Sequence, residues 1–406
     1  MQMMDIKGSL VKIARVLPVL GVVIFGGGPA FAETPVKIGV LTDMSGPLSA
    51  YYGPNSVTAA KLAVEDFGPK VLNRPIEIVA ADHQNKPDAS LGILRRWFEI
   101  DGVDAVADLG NSAVALAAQS LVRDKNRVAL FTGTSTTKVV QENCSTNSVQ
   151  WGHDTYMFSH GAPKGILSSG GKTWFLIVTD YVFGKDLEAQ ARQVIESLGG
   201  KVAGVVRHPL NTPDLSSFLL QAQGSGAQVI GLLNSGEDTV NSIKQANEFH
   251  ITPAQRLAAL VLTLPDVKAL GLALAQGIVY AEPFYWDRTD ESRAFSQRFF
   301  KVTGSMPTGA HAAIYSAVLH YLKSAQKAGT TGGTDVVKTM KEMPVNDMYV
   351  HNGVVRIDGR LLKEVYLLQV KKPDESKAPW DLVKVIGTVS AADAWAPPSK
   401  TCSLVK

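Results

Sequence analysis

Short apolar runs alternate with stretches of helical periodicity along most of this chain, and that alternation limits the fold more than any other feature. Residues 36–41, 76–80, 105–109 and 128–131 read as strands. Between them, residues 56–67, 87–100 and 112–123 carry apolar side chains at helical spacing, as in Val57, Ala60 and Val64. After Gly170-Gly171 the rhythm restarts, with strands at 173–179, 201–207, 228–233, 257–262 and 278–280. Helices at 185–198, 214–223 and 237–249 separate them. Strands alternating with helices of this length build βαβ units around a parallel sheet, so two such runs predict an α/β protein of two doubly wound, Rossmann-like lobes. The later part departs from the pattern. Helices at 291–301, 310–327 and 334–343 precede extended segments at 350–357, 364–370 and 381–385. These read as elements returning to complete the two lobes rather than as a third.

The first 32 residues have a different character. Lys7, Lys12 and Arg15 precede a ten-residue apolar stretch at 16–25, and Ala30-Phe31-Ala32 forms a small-residue cleavage site. This is the layout of a secretory signal peptide, expected to be cleaved after Ala32, and the apolar stretch is too short to span a bilayer comfortably. Export makes the two cysteines informative. In an oxidising compartment, Cys144 and Cys402 are most simply one disulfide tying the C-terminal tail to the body. Two free buried thiols are the alternative.

Composition excludes several function classes. The formal net charge is +3 over 406 residues, without a basic stripe, so a nucleic-acid partner is not expected. The eight histidines and two cysteines make no metal-ligand pattern, and no cofactor is expected. No G-x-G-x-x-G follows the first strand, and neither a P-loop nor a G-x-S-x-G elbow occurs. His153 and Asp154 are adjacent but have no nucleophile motif beside them, so an enzyme is not expected.

The segment Val36-Lys37-Ile38-Gly39-Val40-Leu41-Thr42-Asp43-Met44-Ser45-Gly46-Pro47-Leu48 resembles the opening strand and loop of leucine/isoleucine/valine-type periplasmic binding proteins. Thr179-Asp180-Tyr181-Val182-Phe183-Gly184-Lys185 resembles that family's loop after the first strand of lobe two, and 283–287 and 310–327 also fit. The co-linear set covers nearly the whole chain behind the signal segment. The resemblance implies two lobes joined by three crossovers, with a ligand in the interlobe cleft. It also implies a periplasmic location and delivery to an inner-membrane ABC permease, with a monomer as the default. The lobes are expected to divide as 33–152 plus 284–345, and 153–283 plus 346–406.

In open α/β sheets, ligands bind beyond the carboxyl ends of the strands, where helix N-termini suit a carboxylate. The resemblance points there to Asn111 or Ser112, and to Thr134, Ser135 and Thr136, as a carboxylate grip. The competing reading of these hydroxyls is helix capping. Tyr52 matches an aromatic position against the ligand, with a packed core tyrosine as the alternative. Tyr181, Phe183 and Asn234 are expected at the cleft edge of lobe two. Tyr285 falls near a crossover, as hinge packing or as a ligand contact. Amino-acid binders of the family place a carboxylate against the ligand ammonium from the loop after the strand at 257–262. Here that stretch reads Leu260-Val261-Leu262-Thr263-Leu264-Pro265. A desolvated ammonium without a partner is costly, so the expected ligand is an aromatic or other hydrophobic carboxylic acid. Asp266, Asp43, Asp238 and Glu237 remain candidates for an ammonium partner. A branched-chain amino-acid binder, or a ligand-sensing receptor subunit, are the alternatives.

Overall fold

The computed structural model describes residues 34–252 and 254–405, together with Met1 and Gly8. Apart from those two residues, the signal segment 1–32 lies outside the described residues.

A six-stranded sheet runs in the order Lys70–Val71, Arg74–Asp82, Val36–Thr42, Val103–Asp108, Val128–Phe131 and Ser148–Gln150. All its pairs are parallel except the short edge strand Lys70–Val71 against Arg74–Asp82. The central strands are apolar on both faces because both are covered. On one face, helices Gly53–Phe67 and Gly309–Ala328 bury Ala60, Leu62, Ile314 and Val318 against Val40 and Leu130. On the other, Pro87–Arg96 and Ser112–Asp124 bury Leu94, Val114 and Val122 against Leu41 and Phe131.

A second, four-stranded sheet is wholly parallel, in the order Arg256–Ala259, Val229–Leu233, Thr173–Thr179 and Lys201–His208. It too has a core on each face. The expected strand at 257–262 is shorter than its apolar run. After Ala259 the chain turns toward helix Leu264–Leu270, whose Thr263–Asp266 capping box sets its start.

The returning segments are shared between these sheets. Phe284, Phe295, Phe299, Tyr349, Val355 and Leu361 join the core of the six-stranded sheet. Val365, Leu368, Val383, Ala394 and Trp395 join the cores of the four-stranded sheet. Strands Val279–Glu282, Val365–Val370 and Val383–Val389 pair as a separate antiparallel sheet, and Val354–Val355 pairs with Leu361–Leu362. The chain therefore passes between the two core systems three times, near residues 152–156, 282–284 and 362–364. Cys144 and Cys402 are joined as a disulfide, their Cα atoms 5.5 Å apart.

Buried cations stitch the three passages together. Arg360 donates to the Gly152 carbonyl and lies 3.7 Å from Asp154. Its guanidinium stacks 3.6 Å from the centre of the Trp395 ring. Lys363 donates to the Pro283 and Glu364 carbonyls and sits over the Tyr349 ring at 4.4 Å.

Candidate functional site

The loops beyond the carboxyl ends of the six-stranded sheet are held in shape by their own polar residues. Asp43 accepts from Gly46 N at 2.8 Å, Leu48 N at 3.0 Å and Asn85 Nδ2 at 2.9 Å. Asn85 in turn accepts from Asn111 Nδ2 at 3.2 Å. Asn111 caps helix Ser112–Asp124, accepting from Ala113 N and Val114 N. Ser112 Oγ accepts from Thr136 N at 3.2 Å, and Thr134 Oγ1 donates to the Leu109 carbonyl at 2.8 Å. The capping reading thus holds for Asn111 and for Thr136, whose Oγ1 accepts from Lys138 N at the start of the short helix Thr137–Val139, while Ser112 and Thr134 are drawn into the same loop cluster.

Tyr52 lies across that cluster and is 3% exposed. Its ring occupies space that two glycines leave open. A Cβ on Gly110 would lie 2.7 Å from Tyr52 Cδ2, and one on Gly133 would lie 2.8 Å from Cε1. Ser135 is the hydroxyl beside its phenol. The phenol is 3.2 Å from His153 Nε2, and Tyr51 OH is 2.8 Å from His153 Nδ1. His153 is fully buried, and that burial, reinforced by Arg360, depresses its pKa to about 3, so the ring is neutral.

The second set of loops meets the first directly. Asp186, on helix Val182–Ser197, accepts from Thr136 Oγ1 at 2.8 Å, Thr137 N at 3.0 Å and Thr155 Oγ1 at 2.7 Å. Glu237 N donates to the Pro47 carbonyl at 3.3 Å. Gly236 permits this approach: its φ is +60°, and a Cβ there would lie 2.4 Å from Pro47 O. Tyr181 stands among Asp238, Asp43 and Ser235, and its charge would be felt at Tyr52. Tyr52 and Ser135 from one side therefore lie near Tyr181 from the other, with Ser235 beside Tyr181.

Three of the expected residues have other partners. Phe183 is buried in the core with Trp174 and Leu187. Asn234 donates to Ser242 Oγ at 2.9 Å and accepts from Thr239 Oγ1 at 2.9 Å, so it shapes its own loop. Tyr285 packs in the core of the four-stranded sheet and donates to the Val383 carbonyl at 3.2 Å.

The candidate ammonium partners fare similarly. Asp266 accepts Thr263 N at 2.9 Å and Thr263 Oγ1 at 2.7 Å, and burial raises its pKa to about 7. Asp238 accepts Asn211 N and Thr212 N. Glu237 stands in the first turn of helix Glu237–Glu248, its backbone N–H on the Pro47 carbonyl.

Sequence reasoning missed Tyr51, His153, Asp186 and Asp108 as members of this neighbourhood. The Tyr51-Tyr52 pair ahead of Gly53-Pro54 was the available signal for Tyr51. The others depend on contacts made across the fold. Asp108 ends a central strand with φ +78°, followed by Leu109 at +53°. Two consecutive non-glycine residues in that region mark stored backbone strain. Both Asp108 carboxylate oxygens are buried without a well-aligned hydrogen bond among the described residues, and the Ser56 and Thr42 hydroxyls stand beside them. Burial raises its pKa to about 6, while Ser56 and Thr42 act against that rise. No metal-holding group of histidine, cysteine or carboxylate side chains occurs among the described residues, nor any helix long and apolar enough to cross a membrane.

A family profile described as periplasmic binding protein matches residues 35–377. A periplasmic binding protein from Burkholderia mallei is 43% identical, covering 92% of this chain and all of its own, with a TM-score of 0.89. A branched chain amino acid ABC transporter periplasmic ligand-binding protein from Burkholderia xenovorans is 37% identical, covering 91% of this chain and all of its own, at 0.80. A Rhodopseudomonas palustris solute binding protein in complex with 4-hydroxybenzoate shares the fold at 23% identity, covering 88% of this chain and 97% of its own, at 0.78.

Proposed function

The chain belongs to the periplasmic binding protein family, as a substrate-binding protein of an ABC transporter, and we propose that its ligand is a small aromatic or otherwise hydrophobic carboxylic acid. The ligand would sit between the two sets of loops, be enclosed by hinge closure and be handed to an inner-membrane permease. Capture and release need no bond chemistry, so no catalytic role is assigned. The same reading takes residues 1–32 as the export signal and the periplasm as the destination. It also places the last crossover near Lys363, because Tyr349, Val355 and Leu361 pack in the first core.

One observation carries the ligand class. The groups that meet between the two sets of loops, Tyr52 with Ser135 and Tyr181 with Ser235, are hydroxyls, which can donate to a carboxylate. Asp43, Asp238, Asp186 and Asp266 already accept backbone or hydroxyl donors of their own loops. The fold accommodates an aromatic acid in the Rhodopseudomonas relative, which supports the reading at the level of fold alone.

A second reading, an amino-acid ligand, rests on Asp108, whose two buried oxygens have only the Ser56 and Thr42 hydroxyls beside them and no well-aligned hydrogen bond. They are sealed from solvent, so an ammonium would have to displace the residues that cover them.

The test is a thermal-shift and calorimetric screen of the purified protein with benzoate, 4-hydroxybenzoate, benzamide, leucine and valine. A ligand at 1,000 times its Kd stabilises by about 4 kcal/mol, a shift of several degrees. Shifts with the aromatic acids alone support the first reading. Shifts with leucine or valine alone overturn it in favour of the second.

A further inference from the structure

Tyr51, His153 and Tyr52 form a buried chain in which one neutral imidazole lies between two phenols. A neutral imidazole carries one proton, so one ring nitrogen donates and the other accepts. Among the described residues, His153 Nδ1 is the only hydrogen-bond partner of the Tyr51 hydroxyl. Tyr51 is 3% exposed, and a buried O–H without an acceptor is far costlier than an unused lone pair. Tyr51 therefore donates to Nδ1. The imidazole proton then sits on Nε2 and points at the Tyr52 oxygen, with the Gly133 carbonyl as a second acceptor beside the ring. Tyr52 already accepts from His153, so its own proton is left for a third group. Ser135 and Tyr181, one from each set of loops, are the groups beside the phenol that its proton can face.

We infer that Tyr51 and His153 act as positioning residues that fix the direction of the Tyr52 hydroxyl, making Tyr52 an obligatory donor to the ligand carboxylate. This deepens the ligand assignment above and rests on it for the identity of the acceptor. The consequence is selectivity by charge: a carboxylate accepts from Tyr52 in a charge-assisted bond, whereas the carbonyl of the corresponding amide is a neutral and weaker acceptor. Other neutral residues could fill the same volume. A hydrogen-bonded chain adds a polarity that shape alone does not supply.

The direct test is the ¹⁵N NMR signature of His153 in the ligand-free protein, assigned by comparison with His153→Gln. A neutral ring protonated at Nε2 is expected. A ring protonated at Nδ1, or an imidazolium, overturns the relay whatever the ligand proves to be. The functional arm uses benzoate and benzamide as probes. Tyr52→Phe should weaken benzoate binding by about 10- to 100-fold and benzamide, whose carbonyl is a neutral acceptor, by a clearly smaller factor; equal losses would overturn the assignment of Tyr52 to a carboxylate. Tyr51→Phe should weaken benzoate by a smaller factor and populate both tautomers of His153. In the Tyr52→Phe background, Tyr51→Phe should add nothing. Additive losses would overturn the coupling. An Nε2–H ring in a protein that binds neither probe would leave the relay standing and sink the aromatic-acid assignment instead.

Discussion

Asp186 of the second set of loops accepts the Thr136 hydroxyl of the first at 2.8 Å. Thr137 N and Thr155 Oγ1 converge on the same carboxylate oxygen. Thr136 was expected to grip the ligand, and its hydroxyl instead joins the two halves of the site. Asp186→Ala would leave several buried donors unmatched, at a cost of about 2–3 kcal/mol. Its urea midpoint should fall accordingly. Ligand affinity should fall as well, because the joined arrangement would be less populated. Unchanged affinity in a destabilised variant would show that this contact supports the fold and not closure.

Gly133 offers a sharper test of the loop geometry. A Cβ there would meet Asp108 Oδ1 at 2.2 Å, Tyr52 Cε1 at 2.8 Å and Gly110 Cα at 2.9 Å. Backbone and two buried side chains cannot all yield, and overpacking of this kind costs about 1–3 kcal/mol. Gly133→Ala should therefore lower stability and displace Tyr52, with loss of ligand binding in titration calorimetry. Retained affinity would mean that the Tyr52 ring is not part of the binding surface.

The contrast between these two positions shows what the sequence could carry. Gly110, Ser112 and Thr134 lie in strand-to-helix loops, and a parallel sheet gathers such loops at one end. Local pattern was enough to group them with Tyr52. The central strands of both sheets were legible for the same reason, because strands buried on both faces are unbroken apolar runs, whereas the short edge strands Lys70–Val71 and Ser148–Gln150 carry too few residues to show a pattern. The antiparallel sheet of Val279–Glu282, Val365–Val370 and Val383–Val389 was not legible as a unit, since Val279–Glu282 is far in sequence from its partner Val365–Val370. His153 was read only for its place beside Asp154, and dismissed as a catalyst. Its true neighbours, Tyr51 and Tyr52, are about a hundred positions away. Asn234 and Phe183 looked like cleft residues because loop position cannot say where a side chain turns.

The passages between the core systems make a third prediction. Lys363 is buried, and that burial lowers its pKa to about 7, against the influence of Glu364, Asp347 and Glu282. Its ammonium holds the Pro283 carbonyl, so one passage anchors another. Lys363→Met keeps the volume and removes the tether. Replacing a buried charge by a well-packed apolar side chain is often neutral or stabilising, so the melting temperature should not fall by more than a degree or two. Ligand off-rates measured by stopped flow should rise if the tether restrains hinge motion. An unchanged off-rate would confine Lys363 to packing.

The disulfide links Cys144, which follows the short helix Thr137–Val139 near the first sheet, to the C-terminal tail beyond Trp395. Trp395 packs in the second core, so the bond also ties material of one core system to the other. A bond closing so long a loop typically contributes about 2–4 kcal/mol. Reduction, or paired Cys144→Ser and Cys402→Ser substitution, should lower the melting temperature by several degrees. Equal melting temperatures with and without reductant would show that the tail is held by Trp395 alone.

Asp266 gives the clearest pH dependence. Its burial raises the folded pKa to about 7, against an ordinary value of 3.8. Between those values the folded protein keeps a proton that the unfolded chain releases, so stability from this group falls as pH rises through that window. The contribution is fully present below the lower value. The buried histidines work the other way. His153, His311 and His320 have folded values of about 3, 4 and 4, pushed below 6.5 chiefly by burial. Their contribution is present above 6.5 and is lost as pH falls toward 4. The wild-type profile sums these with other buried groups such as Glu282, Asp108, Asp154 and Lys363, so its slope alone decides nothing. Subtracting the Asp266→Asn profile isolates the carboxyl: the difference in unfolding free energy should change steadily between about pH 4 and 7 and level off on either side. A difference that stays flat across that window would mean that Asp266 is ionised in the fold, held by Thr263 N and Oγ1 as a charged cap.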